Sequence, residues 1–530
     1  MEAVDKIKED GPVSQGESVI SSADSKKHLA RNTGSQIFLF IFSIITSLYF
    51  VRYQIQQLGI ANYGMVTLAT QIVSWTQVAA IAIVGTIGRF VTLNIARGDN
   101  KQARSYFNTQ VTTVIGLSAV LLPVAALVSY ITPVFVKIPY GEVMNTRLLF
   151  FLTYLTFIVA LYSATFQVTL YVKQRFDIRN MLEVANQISG YAIWILLFSL
   201  FRPSLWHIGF GRVIGAAVLL MGTVYTFLKL TPDLKPDLRG YDPSKFKEMI
   251  KMGTWMTISQ VGIMLYLSFD ALVINRTLGP ASVGRYGTVA GLSVMIRGLS
   301  ATMLSILGPP VIAYYARQDW TGLQRAVTKA VKFTSLGIAI ALGAFCGLSV
   351  PFLTWWLGPS FGSLHLLVWL LFPHMVLNLG MDPPSSVTYA ANKMAVPGIA
   401  TILGGLLKVA LAVILIKYTR LGLYGVAIAD MISLSVKNLI FQPIYVSRLL
   451  QSSSLPFYKA VVPSIFVFSA VSLTALALSR ITHSATFSVM AVEGLAVVMV
   501  FSGLTYLLVL NRDDREFLRQ SVPWRKKRTV

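Results

Sequence analysis

A helix that crosses a bilayer core needs about 20 predominantly apolar residues, and this chain meets that demand repeatedly. Runs of that kind lie at roughly 36–56, 64–88, 110–133, 148–170, 181–200, 207–228, 253–274, 287–312, 331–352, 364–388, 396–416, 422–442, 459–479 and 487–510. They absorb most of the 530 residues, so no connecting segment is long enough to form a separate domain. The expected fold is all-α: a polytopic membrane protein with 14 transmembrane helices. The strand alternation of a membrane barrel is absent. Only 13% of the residues are charged, against about 25% in an average soluble domain, which is too few to cover a soluble surface.

Net charge raises a second reading. The chain carries +23, and strongly basic chains often bind nucleic acid. The positions of the charges argue otherwise. With the N-terminus placed inside, 31 of the 45 Lys and Arg residues fall on the inner side and ten, Arg212 among them, on the outer. Arg89, Arg297, Lys408 and Lys437 remain within spans. This is the positive-inside pattern. It predicts a multi-pass plasma (inner) membrane protein with both termini cytoplasmic. The inner basic residues are dispersed over eight segments with no aromatic interleaving, so no nucleic-acid partner is expected.

Residues 1–31 are polar and lack a signal peptide's apolar core, and read as a disordered cytoplasmic tail. Residues 231–252 read as an amphipathic cytoplasmic linker, and 512–530 as a basic cytoplasmic tail closing on Arg525-Lys526-Lys527-Arg528. Cys346 has no partner cysteine for a disulfide.

Two stretches resemble each other. Leu58-Gly59 leads to Tyr63-Gly64, Gly88-Arg89 and Ala96-Arg97-Gly98-Asp99; Leu278-Gly279 leads to Tyr286-Gly287, Gly308-Pro309 and Ala316-Arg317-Gln318-Asp319. Each begins in the outer loop after the first span of a six-span unit. An even number of spans per unit keeps both units in one orientation, so the repeat is parallel, a transporter architecture with the pathway between halves. The predicted units are six-helix bundles at 32–230 and 253–448, with helices 13 and 14 at 449–511 outside the repeat.

These motifs, with Asp270 ending the seventh span and Tyr389-Ala390-Ala391-Asn392-Lys393 before Pro397, resemble those of polysaccharide-biosynthesis (Wzx-type) flippases. That family belongs to the multidrug/oligosaccharidyl-lipid/polysaccharide exporter superfamily, which also holds multidrug antiporters and lipid II flippases. The resemblance covers about residues 31–450. It implies two six-helix bundles around a central cavity. It also implies alternating access that carries an undecaprenyl-pyrophosphate-linked oligosaccharide across the inner membrane, in polysaccharide or O-antigen biosynthesis. The implied partners are that anionic lipid-linked glycan, membrane lipids and polysaccharide polymerase machinery, with Na+ or H+ coupling.

Charged residues within spans are costly and usually face a cavity or a partner. Arg297, Lys408, Asp430 and Lys437 lie deep in their spans, with Lys437 seven residues after Asp430 on the same helical face. Arg89, Glu183 and Asp270 lie near span ends, where snorkelling competes as an explanation. An anionic head group crossing hydrocarbon needs lining cations, and guanidinium binds phosphate bidentately. Arg297, Lys408, Arg89 and Lys437 are therefore the candidate substrate-binding residues. Asp430 and Asp270 are structural counter-ions or coupling-ion sites. Asp382-Pro383-Pro384 interrupts the tenth span, since proline removes a helical hydrogen bond. No metal-ligand spacing and no phosphate-binding loop occur, so neither a metal, a cofactor nor an enzymatic activity is expected. A drug or cation antiporter of the same fold is the alternative function. Cavity sign separates the two, because cation efflux wants acidic lining.

Overall fold

The computed structural model describes residues 22–232, 234, 236–482 and 486–521. Residues 1–21 of the expected tail and the closing basic run at 525–528 lie outside the described residues. Helices follow one another along the described chain, with no strand among them. Twelve helical segments of the described residues are long and apolar enough to cross a membrane. The other two expected spans, 64–88 and 287–312, are occupied by helices Ile60–Val84 and Pro280–Ala316, of 25 and 37 residues. Both turn polar side chains to a central cavity, Thr70, Gln71 and Ser74 from one and Ser293 and Arg297 from the other.

Several boundaries differ from the sequence reading. The first helix, Ser22–Leu58, begins inside the segment assigned to the tail. The linker ends early, because Pro243 opens the helix Pro243–Leu267. Proline suits the first helical position, where its missing N–H is not needed. Asp242 caps that helix, accepting from the Ser244 backbone N–H at 2.8 Å. The hydrogen bonds from Ser244 hold the Asp242 carboxyl below the usual carboxylate range. The shortened connection is strapped to the helix Asn100–Phe135: the Asp237 N–H donates to Asn108 Oδ1 and the Asp242 N–H to Thr109 Oγ1.

Two of the interrupted spans shape the site. The seventh stops at Leu267 and restarts as Asp270–Leu278. The tenth is broken at Asp382-Pro383-Pro384, as the prolines suggest, and again at Phe372, where Pro373 opens the helix Pro373–Gly380.

Helices before and after the linker meet where Ile60–Val84 crosses Pro280–Ala316 and packs on Pro243–Leu267. The crossing brings the two similar sequence stretches together. A Cβ on Gly64 would stand 2.2 Å from the Pro280 carbonyl oxygen, and one on Gly284 would stand 2.1 Å from that of Ile60. Only glycine permits backbones so close. At this same end, assigned outward by the charge count, Arg52 donates to the Trp355 carbonyl at 3.1 Å and Trp356 Nε1 to that of Leu48 at 2.7 Å. Asn275 exchanges two hydrogen bonds with the Lys137 backbone, and Arg276 donates to the Val134 carbonyl. The two sets of helices are thus knitted shut at this end.

Candidate substrate cavity

Below the crossing lies a cavity of about 650 Å³, walled by helices from both sides of the linker. This is the usual size of a ligand site. The N-terminal wall offers Gln54, Thr70, Gln71, Asn186, Gln187 and Arg212; the C-terminal wall offers Ser268, Asp270, Tyr286, Arg297, Lys408 and Asp430.

The C-terminal wall holds a charge network. The Lys408 ammonium lies 2.9 Å from Asp270 Oδ2 and 2.9 Å from Asp430 Oδ1, and also donates to the Tyr266 carbonyl. Tyr286 Oη donates to Asp270 Oδ2 at 2.8 Å. Arg297 Nη2 and His374 Nε2 each approach Asp430 Oδ2 to 3.7 Å. Five spans supply these groups, and the broken seventh span sets the geometry. Its interruption at Ser268-Phe269 places Asp270 in the first turn of the second piece. The Pro373 break likewise starts the turn that carries His374.

Asp270 is therefore not a snorkelling residue. It is 6% exposed and ion-paired. Lys408 is 2% exposed and held by two carboxylates. A buried charge is tolerated when it is paired and hydrogen-bonded. Arg297 is held more loosely. Among the described residues its one ion pair is at 3.7 Å, and its buried Nε has no hydrogen-bond partner. It keeps donors for an incoming anion.

Two candidates stand elsewhere. Arg89 sits on the short helix Ile87–Ala96 and approaches Met252 Sδ at 3.7 Å, outside the cavity wall. Lys437 lies over the Tyr266 ring at 5.8 Å, also outside that wall. It shares a helical face with Asp430, but seven residues of helix rise put it about 10 Å further along the axis.

Arg212 was counted with the outer loops, and the structure places it in the cavity. It lies seven residues into the helix Leu205–Leu230, about 10 Å below that helix's end. Gly211 and Gly215 pack tightly on Gly190 and Asn186 of Phe176–Leu200, while Arg212 donates to Thr70 Oγ1 at 2.9 Å. Among the described residues no carboxylate pairs with it. The signal was available, since Arg212 falls inside the run 207–228. Some intramembrane polar groups serve packing instead: Gln187 donates to Ser43 Oγ at 2.9 Å, and Asn186 to Glu183 at 3.2 Å. Gln71 crosses between the walls, accepting from the Ala271 N–H.

The wall thus carries three cations, Arg212, Arg297 and Lys408, against the carboxylates of Asp270 and Asp430. Both carboxylates are already engaged by Lys408, so the surplus is positive.

A helical membrane chain with a polar cavity between two sets of helices, one span broken at the charged site, is built as a membrane transporter or flippase. Solved structures bear out the fold. The chain is similar to a structure described as lipid II flippase MurJ in an inward closed conformation (TM-score 0.65, 14% identity, 91% of this chain and 99% of that one). It is also similar to an inward-facing multidrug resistance MATE family transporter of the MOP superfamily (TM-score 0.62, 18% identity, 77% and 96%). A MOP superfamily transporter from Pyrococcus furiosus, described as having a binding pocket of reverse polarity, matches at TM-score 0.51 with 20% identity over 81% and 97%. The chain belongs to the polysaccharide biosynthesis protein family, whose model matches residues 26–315. A relative from Bacillus subtilis (strain 168), named uncharacterized membrane protein EpsK, is 27% identical over 488 residues, 92% of this chain and 96% of that one.

Proposed function

We propose that the protein is a flippase that moves an undecaprenyl-pyrophosphate-linked oligosaccharide across the inner membrane in polysaccharide biosynthesis. The observation that carries the reading is Arg212, an arginine without a carboxylate partner among the described residues, on the wall opposite the loosely held Arg297. A diphosphate has enough oxygens to engage one guanidinium on each wall, and charge-assisted bonds of this kind are strong in a low-dielectric site. Gln54 offers its amide to sugar hydroxyls.

The cycle follows from the packing. The glycine crossing and the Arg52, Trp356 and Asn275 contacts close the outward end. Cargo enters from the opposite end and bridges the two walls. Rocking of one set of helices against the other then breaks the outward contacts, and the cargo leaves on that side. In this reading the chain has fourteen spans in two six-helix bundles plus two, with both termini cytoplasmic. Polymerase machinery takes the delivered glycan.

A cation antiporter of the same fold would need unpaired acid in its cavity, and both cavity carboxylates are engaged by Lys408. The test is deletion of the gene. Loss of surface glycan, with lipid-linked repeat units retained on the inner leaflet, supports the flippase. Normal glycan with altered resistance to cationic drugs would favour the antiporter.

A further inference from the structure

We propose that the oxygens of Asp270, Asp430 and the Tyr266 carbonyl form a monovalent-cation site whose permanent occupant is the chain's own Lys408 ammonium, so that no free Na+ binds at this position.

Three features of the cluster each describe a cation site. Two carboxylates from separate helices converge on one point at 2.9 Å each. The third oxygen is the Tyr266 carbonyl, one residue from the end of Pro243–Leu267. The C-terminal end of a helix carries the negative pole of its dipole. Carbonyls at such breaks coordinate Na+ or H+ in transporters built from discontinuous helices. The third feature is the occupant: a primary ammonium, itself monovalent, fills the point of convergence and is almost fully buried. A lysine kept only for helix register would need one carboxylate. This one has two, and a second cation, Arg297, balances the remaining charge. Tyr286 donates to the same Asp270 Oδ2 that Lys408 engages, and so helps to hold that carboxylate in place.

The consequence for transport rests on the flippase reading. With the cation tethered, the carboxylates are not free to bind and release Na+ during the cycle. Outward movement of an anionic cargo is then favoured by the membrane potential itself, inside negative.

The test needs no cargo, so its failure leaves the flippase reading standing. Thermal unfolding of the purified full-length protein in detergent is followed in choline, sodium, potassium and methylammonium chloride at one ionic strength. The expected wild-type Tm is the same in all four. Lys408→Ala is expected to have a lower Tm in choline, and a saturable rise with Na+, K+ or methylammonium. That rise should vanish when both Asp270→Asn and Asp430→Asn are added. Should Lys408→Ala fail to accumulate, Lys408→Ala/Asp270→Asn removes one charge of each sign and is expected to keep a weaker cation response. A saturable stabilisation of the wild-type protein by Na+ over choline that Asp430→Asn abolishes would overturn the proposal. So would a lysine-free variant whose Tm is equal in all four salts.

Discussion

Replacing Gly64 with alanine places one methyl group where the helices Ile60–Val84 and Pro280–Ala316 touch. The new Cβ would meet the Pro280 carbonyl oxygen at 2.2 Å, the Gly284 nitrogen at 2.9 Å and the Pro280 carbonyl carbon at 3.2 Å. All three are backbone atoms, so no rotamer change relieves the overlap. Carbon–oxygen contacts between helices normally lie near 3.3–3.6 Å, so the helices must part by about 1 Å. Overpacking of this kind costs about 1–3 kcal/mol. In the proposed cycle that cost falls on the outward-closed arrangement alone, which corresponds to a population shift of about 5- to 150-fold toward the outward-open one. Gly284→Ala acts on the same crossing from the other helix, so the double variant should shift the balance less than the sum of the two. Spin labels at Gln57→Cys and Ser282→Cys report the opening by pulsed electron spin resonance; Cys346 is fully buried and escapes labelling. Gly64→Ala is expected to add a longer-distance population. Gly291→Ala, on the same helix but with open space around its Cβ, is expected to leave the distribution unchanged. Identical distributions for Gly64→Ala and Gly291→Ala would refute the reasoning.

Other expectations follow from the cavity. Arg212→Ala removes charged hydrogen bonds worth about 1.5–3 kcal/mol, so undecaprenyl pyrophosphate in nanodiscs should bind roughly 10- to 150-fold more weakly, with Arg212→Lys in between; an unchanged Kd would discount Arg212. Lys408→Met leaves Asp270 and Asp430 buried against each other, at a cost of about 3–5 kcal/mol. Adding Asp270→Asn should recover part of the lost Tm in detergent, and a further loss instead would disprove the network. Arg89→Ala, outside the cavity wall, should bind the same lipid with wild-type affinity in the nanodisc titration.

The membrane class, most span positions and the paired glycine motifs were legible in the sequence, because each rests on local composition. The break at Ser268-Phe269 was not, since no proline or glycine marks it. The depth of Asp270 depends on that break, so it read as a span-end residue. The partners of Lys408 come from helices 138 residues away on one side and 22 on the other, and one chain without a fold gives no means of pairing them. Lys437 was misplaced differently: periodicity gave its face and not its distance along the axis. Arg212 was masked by the topology count, which assigned a cation near a span's start to the loop.

The central claim, that the cavity carries an anionic lipid-linked glycan, is tested most directly in proteoliposomes. The purified protein is reconstituted with a fluorescent undecaprenyl-pyrophosphate-linked oligosaccharide, and leaflet exchange is followed with a membrane-impermeant quencher. The predicted result is protein-dependent exchange that Arg212→Ala/Arg297→Ala abolishes while reconstitution stays equal. Exchange undiminished in that variant, or movement of a cationic dye in place of the glycolipid, would contradict it.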